Sequence, residues 1–410
     1  MNRKPPRKQG KSRARKPRQP PAKAHTTTVT DVREAVRATI AEQNAQHTPA
    51  AEPDSQGTST MARAFRGGCI GFLEEAEPQA VAPSYRFEAP TIGRYSSIAV
   101  RFTGTRTGVA VRGPRDHFEQ IEHIDNLPTD GGKVAITAKV QGIASGEWRI
   151  VAEPLEQGLS PAGNVPRRQV LTERTRLVVL AHGPGVRPVW WPVLVGLGAI
   201  LAIVVQAVLA SRAGLDVTLT LALALVGSVL GFAGAKIWYL VLHRRHPRTF
   251  LTAGACIQGF LVGAFGTLAI GSWVLGLTVG TLLDVTAPGL FLGMAVGRPG
   301  CLLSGCCAGR PTNSRWGLWS SDRRLAVRRH PVQLAEAALA LVIGVTTLSL
   351  TLTVEPGAGA LFAGAAAAYT FGRQLLFPLR SDPHTRVGRA VTMVACGLVL
   401  AAAVAVLMSA

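Results

Sequence analysis

From Trp191 to Ala210 the chain reads WPVLVGLGAILAIVVQAVLA, an apolar run of about 20 residues. As a helix rising about 1.5 Å per residue, such a run covers roughly 30 Å, the thickness of a bilayer's hydrocarbon core. The pattern recurs at 217–242, 252–270, 272–297, 331–353, 357–377 and 388–408, the third and fourth runs barely separated. The second half therefore predicts a polytopic α-helical membrane protein of about seven transmembrane helices. Trp190 and Trp191 open the first run, and Trp238 and Tyr239 stand near the end of the second, as expected of aromatic anchors at the membrane interface. Abundant Gly and Ala permit close helix packing.

The rest of the chain has a different composition. Overall, 44 Lys and Arg oppose 24 Asp and Glu, a net charge of +20, although 47% of residues are hydrophobic. The two properties are separated along the sequence. Residues 1–23 are mostly Lys, Arg, Pro, Gln and Ala, and no acid precedes Asp31. Residues 1–60 thus predict a disordered basic tail and linker, with Thr30–Gln43 able to form a short helix, and 61–84 continue as linker. Such a tail binds phosphates of anionic lipid or nucleic acid electrostatically, without sequence readout, or serves only as a solvated segment. The first 60 residues hold no apolar stretch of a secretory signal's length, so translocation is expected to begin at the first membrane helix.

From Tyr85 the hydrophobic period becomes two. Alternating stretches at Ser97–Thr103, Gly108–Val111, Lys133–Val140, Glu147–Ala152 and Gln169–Leu180 are separated by turn signals such as Gly113-Pro114 and Asp130-Gly131-Gly132. Residues 85–185 therefore predict a small all-β sandwich of immunoglobulin-like type with Trp148 in its core. It carries no chemical motif, so a spacer or a contact surface for a protein partner is its expected role. Residues 188–410 form the membrane domain.

An odd number of spans places this β domain on the side of the loops after helices two, four and six. Those loops carry the basic residues His243 to Arg248, Arg310 to His330 and Arg380 to Arg389, whereas the opposite side offers chiefly Arg212, Asp216 and Glu355. In a cell membrane, the positive-inside rule predicts a cytoplasmic N-terminus.

Ionisable groups inside apolar spans cost about 2.5 to 3.5 kcal/mol on insertion scales, so each one implies a partner or a substrate. Lys236, Asp284, Arg298 and Arg373 lie in or beside the second, fourth and sixth spans. Arginine suits a phosphate fork, and a lipid headgroup is the obvious anion. The structural alternative is that Lys236 snorkels, Asp284 pairs with a neighbouring cation, and both arginines cap helix ends.

Residues 297–312 read GRPGCLLSGCCAGRPT. This stretch resembles the glycine-arginine signature of the prolipoprotein diacylglyceryl transferases. Arg329-His330-Pro331-Val332-Gln333-Leu334-Ala335-Glu336 resembles that family's arginine-histidine-proline, glutamine-leucine and glutamate motif. Asp284 with Pro288, Gly234 to Tyr239, and Gly372-Arg373 match further positions in family order. The resemblance, over roughly 188–410, implies transfer of the diacylglyceryl group of phosphatidylglycerol to the thiol of a preprolipoprotein's lipobox cysteine, releasing glycerol phosphate on the outer face of the membrane. That orientation opposes the one read from charge. It also implies that Arg298 and Arg373 bind and polarise the phosphate, while Gly309, Arg329, His330, Gln333 and Glu336 support the headgroup region. No metal or organic cofactor is expected.

The sequence departs from the family at the chemical positions. Gln258 stands where the family's histidine-glycine-glycine-leucine motif has histidine, and an amide accepts no proton near pH 7. Cys301 and Cys306 replace an asparagine and a glutamate, and Phe377 replaces an acid. Cys301, Cys306 and Cys307 read as buried apolar cysteines, a disulfide or a reactive thiol; tetrahedral zinc wants four ligands, and His330 is remote in sequence. Two functions stay open. One is a transferase; the other is a divergent paralogue that binds phospholipid and recruits a partner through its β domain.

Overall fold

The computed structural model describes residues 79–89, 96–127, 132–155, 168–244, 246–250, 256–353, 359–382 and 385–409. The expected basic tail, the Thr30–Gln43 helix and Glu355 lie outside them. The described residues form a β layer and a bundle of seven helices. These are α1 (Trp190–Arg212), α2 (Val217–Leu242), α3 (Ile257–Val274), α4 (Val279–Ser304), α5 (Val332–Thr353), α6 (Ala360–Leu376) and α7 (Arg386–Ser409). Five of them, α1, α2, α4, α5 and α7, are long and apolar enough to cross a membrane. Their exposed surface is apolar, with Val208, Leu225, Val229 and Leu398 among the exposed side chains. A water-soluble bundle would turn such residues inward.

Inside the bundle, glycine sets how close the helices come. A Cβ at Gly198 of α1 would lie 2.3 Å from the carbonyl oxygen of Gly293 in α4, and one at Gly289 would lie 2.5 Å from that of Ala202. The α2–α3 pair repeats the device, since a Cβ at Gly234 would lie 2.6 Å from the Gly259 oxygen. Backbone contact of this kind replaces the hydrophobic effect, which lipid does not supply between helices.

The β layer contains β1 (Gln79–Val81), β2 (Ser84–Glu88), β3 (Ser96–Arg106), β4 (His117–Leu127), β5 (Lys133–Thr137), β6 (Val140–Ile143), β7 (Glu147–Leu155), β8 (Gln169–Arg174) and β9 (Arg176–Leu177). Two further strands, β10 (Leu318–Ser321) and β11 (Leu325–Arg329), come from the connection between α4 and α5. Two four-stranded antiparallel sheets, ordered β10-β11-β5-β2 and β4-β3-β7-β8, close on one core. Tyr85, Ile136 and Val327 face Phe102, Trp148 and Ile150 across it. Trp148 is fully buried, donates its indole N–H to the Ala144 carbonyl at 3.1 Å, and packs on Phe118. Gly104 leaves room for that Phe118 ring, which a Cβ would meet at 2.1 Å.

Two features differ from the sequence reading. The stretch Gly108–Val111 forms bends, while a strand is present at His117–Leu127. Inward-facing Glu122 interrupted the apolar alternation there; it is buried because Arg324, from the α4–α5 connection, holds one of its oxygens through Nε and Nη2 at 2.9 and 2.7 Å. The β layer also does not merely precede the bundle. β11 pairs with β5 at Leu325–Ile136 and Ala326–Ala135, and Trp319 donates to the Lys133 carbonyl at 3.0 Å. After four helices the chain has returned to the end of the bundle where it entered.

Candidate functional site

The same end of the bundle gathers the charged groups. Glu336, in the second turn of α5, is fully buried among Arg298 of α4, Arg373 of α6 and Arg380 of the connection to α7. Arg380 Nη1 donates to Glu336 Oε1 at 2.5 Å, and the rest of its guanidinium binds Asp382. Arg298 Nη1 approaches Oε2 at 3.2 Å and Arg373 Nε approaches Oε1 at 3.3 Å, but neither has hydrogen-bond alignment: among the described residues, Oε2 and that Nε have no hydrogen-bond partner. Arg298 Nη2 reaches the Tyr369 hydroxyl at 3.2 Å. The side chains of Arg298 and Arg373 are 17% and 29% exposed, against 3% for Arg380. One arginine is thus locked to the glutamate, while the other two are attracted to it with donors still directed elsewhere.

Phe377 lies beside this group, its ring centroid 5.9 Å from the Arg373 guanidinium and 5.7 Å from that of Arg380. At this position an acid would add a third negative charge. The aromatic face holds both cations without neutralising either.

Asp284, at the other end of α4, is equally buried. Its carboxylate accepts the backbone N–H groups of Gly359 and Phe362 at 3.1 and 3.0 Å, capping the start of α6. Lys236 donates to the Phe250 carbonyl at 3.0 Å, with the Phe232 and Phe250 rings beside it. Neither belongs to the arginine group.

The remaining expected residues divide. Gln333 is buried and donates to the Cys306 carbonyl at 3.0 Å, while its own Oε1 has no hydrogen-bond partner among the described residues. Gly309 is required by close approach, since a Cβ there would lie 2.1 Å from the His330 carbonyl oxygen. That carbonyl accepts Val332 N–H at 2.9 Å, so the His330 backbone leads directly into α5. Arg329 is 2% exposed and donates to the Gly309 carbonyl, Asp322 and the Leu325 carbonyl, which makes it a brace between β11 and the signature loop. Gln258 is exposed in the first turn of α3 and takes no part in the arginine–glutamate group. Arg380 and Tyr369 were missed; Arg380 was counted only as loop charge, and Tyr369 has no sequence signal beyond a polar tip in an apolar run.

The three cysteines converge. Cys301 lies in the last turn of α4, and the chain then reverses through Gly305 at φ 68° and Cys307 at φ 54°. The three Sγ atoms lie within 4.8 Å of one another, and all three residues are half-buried. Ser304 Oγ is 3.3 Å from Cys306 Sγ. Hydrogen bonds from the Cys301 and Cys306 thiols, and then the positive field of Arg380 and Arg298, draw the Cys307 thiol far below the ordinary cysteine range.

Comparison with known proteins places this arrangement. A model of the prolipoprotein diacylglyceryl transferase family matches residues 178–409, from just after β9 to the end of α7, including the β10–β11 hairpin and every site residue above. A phosphatidylglycerol–prolipoprotein diacylglyceryl transferase of Clostridium tetani is 25% identical over 203 residues, 47% of this chain and 81% of the relative. One from Nostoc sp. is 27% identical over 236 residues, 52% of this chain and 83% of the relative. One from Dehalococcoides mccartyi is 31% identical over 131 residues, 29% of this chain and 48% of the relative. Strands β1–β9 lie outside the family match.

Proposed function

The chain belongs to the prolipoprotein diacylglyceryl transferase family, a family of transferases, and from that premise we propose that it moves the diacylglyceryl group of phosphatidylglycerol to a lipoprotein cysteine thiol. The observation that carries this reading is the pair of partly exposed arginines, Arg298 and Arg373, held near buried Glu336 without being consumed by it. In the reaction, the acceptor thiol releases its proton to water, the thiolate attacks the glyceryl CH₂ and the C–O bond to phosphate breaks. The electron pair departs on the phosphate oxygen, and the second negative charge that develops there as the phosphodiester becomes a phosphomonoester is what the two guanidiniums stabilise. Glu336, itself held by Arg380, draws both guanidiniums to one place before the charge appears, so little reorganisation is needed.

Family chemistry occurs on the outer face, and the β layer shares its end of the bundle with the site. We place both outside the membrane. The charge rule gave the opposite, but four of the arginines it counted are engaged in the fold: Arg324 with Glu122, Arg329 with Asp322, Arg380 with Glu336, and Arg389 with the Gln374 carbonyl. Val111→Cys, at an 85% exposed position of the β layer, is expected to react with an impermeant maleimide in intact cells above the unmodified chain's background. Labelling only after lysis would refute this placement.

The reaction is tested by incubating the purified protein with phosphatidylglycerol and a lipobox peptide. Mass spectrometry is expected to find diacylglyceryl peptide, and Arg298→Ala to slow its formation about 10²–10³-fold. No product in any lipid composition, with phosphatidylglycerol still bound, would favour the second reading: a phospholipid-binding relative whose β layer recruits a partner. Gln258, exposed in the first turn of α3 and unable to take a proton, is the observation behind that alternative.

A further inference from the structure

Transfer requires a thiolate, and an ordinary cysteine with a pKa of about 8.5 is mostly protonated at neutral pH. Gln258 supplies no base. Building on the transfer proposed above, we infer that Cys301, Cys306 and Cys307 form a three-thiolate zinc site whose fourth position receives the acceptor cysteine.

The geometry is that of a site rather than of scattered core thiols. Three Sγ atoms lie within 4.8 Å of one another. Zinc–sulfur bonds of about 2.3 Å place tetrahedral sulfurs roughly 3.8 Å apart, a closure of an ångström or less. The loop is held for it. Cys306 N–H donates to the Cys301 carbonyl at 3.1 Å, Gln333 holds the Cys306 carbonyl, and Arg329 holds Gly309. Cys307 occupies a left-handed backbone conformation that non-glycine residues adopt at a cost, which surrounding contacts sustain. An all-sulfur donor set selects thiophilic ions. Three thiolates with Zn²⁺ carry a charge of −1, beside Arg298 and Arg380.

Counting four protein ligands argued against zinc at the level of sequence. A catalytic zinc uses three and leaves one position open. The acceptor thiol binds there and loses its proton to water, because a coordinating thiol is deprotonated outright. The bound sulfur attacks the glyceryl carbon, glycerol phosphate leaves toward Arg298 and Arg373, and the thioether, now uncharged, dissociates as a weak ligand.

The test uses the full chain purified in detergent. One zinc per chain is expected by elemental analysis, lost in the triple variant Cys301→Ser, Cys306→Ser, Cys307→Ser. Absence of both zinc and cobalt uptake by the unmodified chain overturns the site. In the cobalt-substituted chain, sulfur-to-cobalt charge-transfer absorption should shift on adding a lipobox peptide and not its serine analogue; an unmoved spectrum overturns the activating role. Both readings are made without phospholipid and so do not depend on transfer. Undiminished transfer by zinc-stripped protein overturns this inference and leaves the transferase reading standing. A cobalt shift without transfer supports the site and removes the reaction.

Discussion

Asp284 and Glu336 are both buried acids in apolar helices, near opposite ends of α4 and ~20 Å apart along the bundle at 1.5 Å per residue. At the Asp284 end, peptide N–H groups of Gly359 and Phe362 hold the carboxylate, and the result is a helix cap. At the Glu336 end, three guanidiniums surround one carboxylate, and only one of them is hydrogen-bonded to it. Neutral dipoles satisfy a charge and close the account locally. Guanidinium donors that the carboxylate leaves unaligned remain open to a further anion, which is the property of a binding site. The contrast separates a structural buried charge from a functional one by what surrounds it, not by how deeply it lies.

The comparison can be broken in steps. Glu336→Leu should have the largest effect: Arg380 loses its buried partner, and the cost of about 3–5 kcal/mol expected for uncompensated buried charge should appear as a lower unfolding midpoint in detergent. A fully stable Glu336→Leu would mean that the arginines do not need the carboxylate. Arg298→Ala should leave a folded protein but slow transfer about 10²–10³-fold, the scale of losing one donor to developing charge, measured with saturating phosphatidylglycerol. Asp284→Ala should reverse that pattern, lowering stability by about 1–2 kcal/mol as a lost cap does, with the transfer rate per folded molecule unchanged. A rate loss matching that of Arg298→Ala would erase the distinction between the two ends. Gln258→His should change transfer least, within a few-fold, because the residue is exposed and outside the arginine group.

Much of the bundle was legible because apolar length is a strong signal: the first, second, fifth and seventh helices begin within about two residues of their expected starts. The third and fourth shifted, since Gly276 at φ 68° ends α3 several residues later than expected and α4 runs on through Arg298 to Ser304. Arg298, Arg373 and Glu336 could be found because charge inside an apolar run is conspicuous. Arg380 could not, because burial of a loop arginine depends on a tertiary partner 44 residues earlier in the chain. β4 escaped for the same reason: Glu122 looks like a surface residue until Arg324, 202 residues later, neutralises it. Three cysteines within seven residues were visible, but their convergence depends on the reversal at Gly305 and Cys307.

The pairing of β5 with β11 also sets a schedule for biogenesis. About 190 residues separate Ile136 from its partner Leu325. At translation rates of ~5–20 residues per second, the edge of β5 waits ~10–40 s for its neighbour, while four helices are made and inserted. An unpaired strand edge is an aggregation hazard for as long as it persists. The newborn β layer therefore depends on the insertion machinery finishing α1–α4, and a delay there would surface as misassembly in a segment that is not part of the helix bundle.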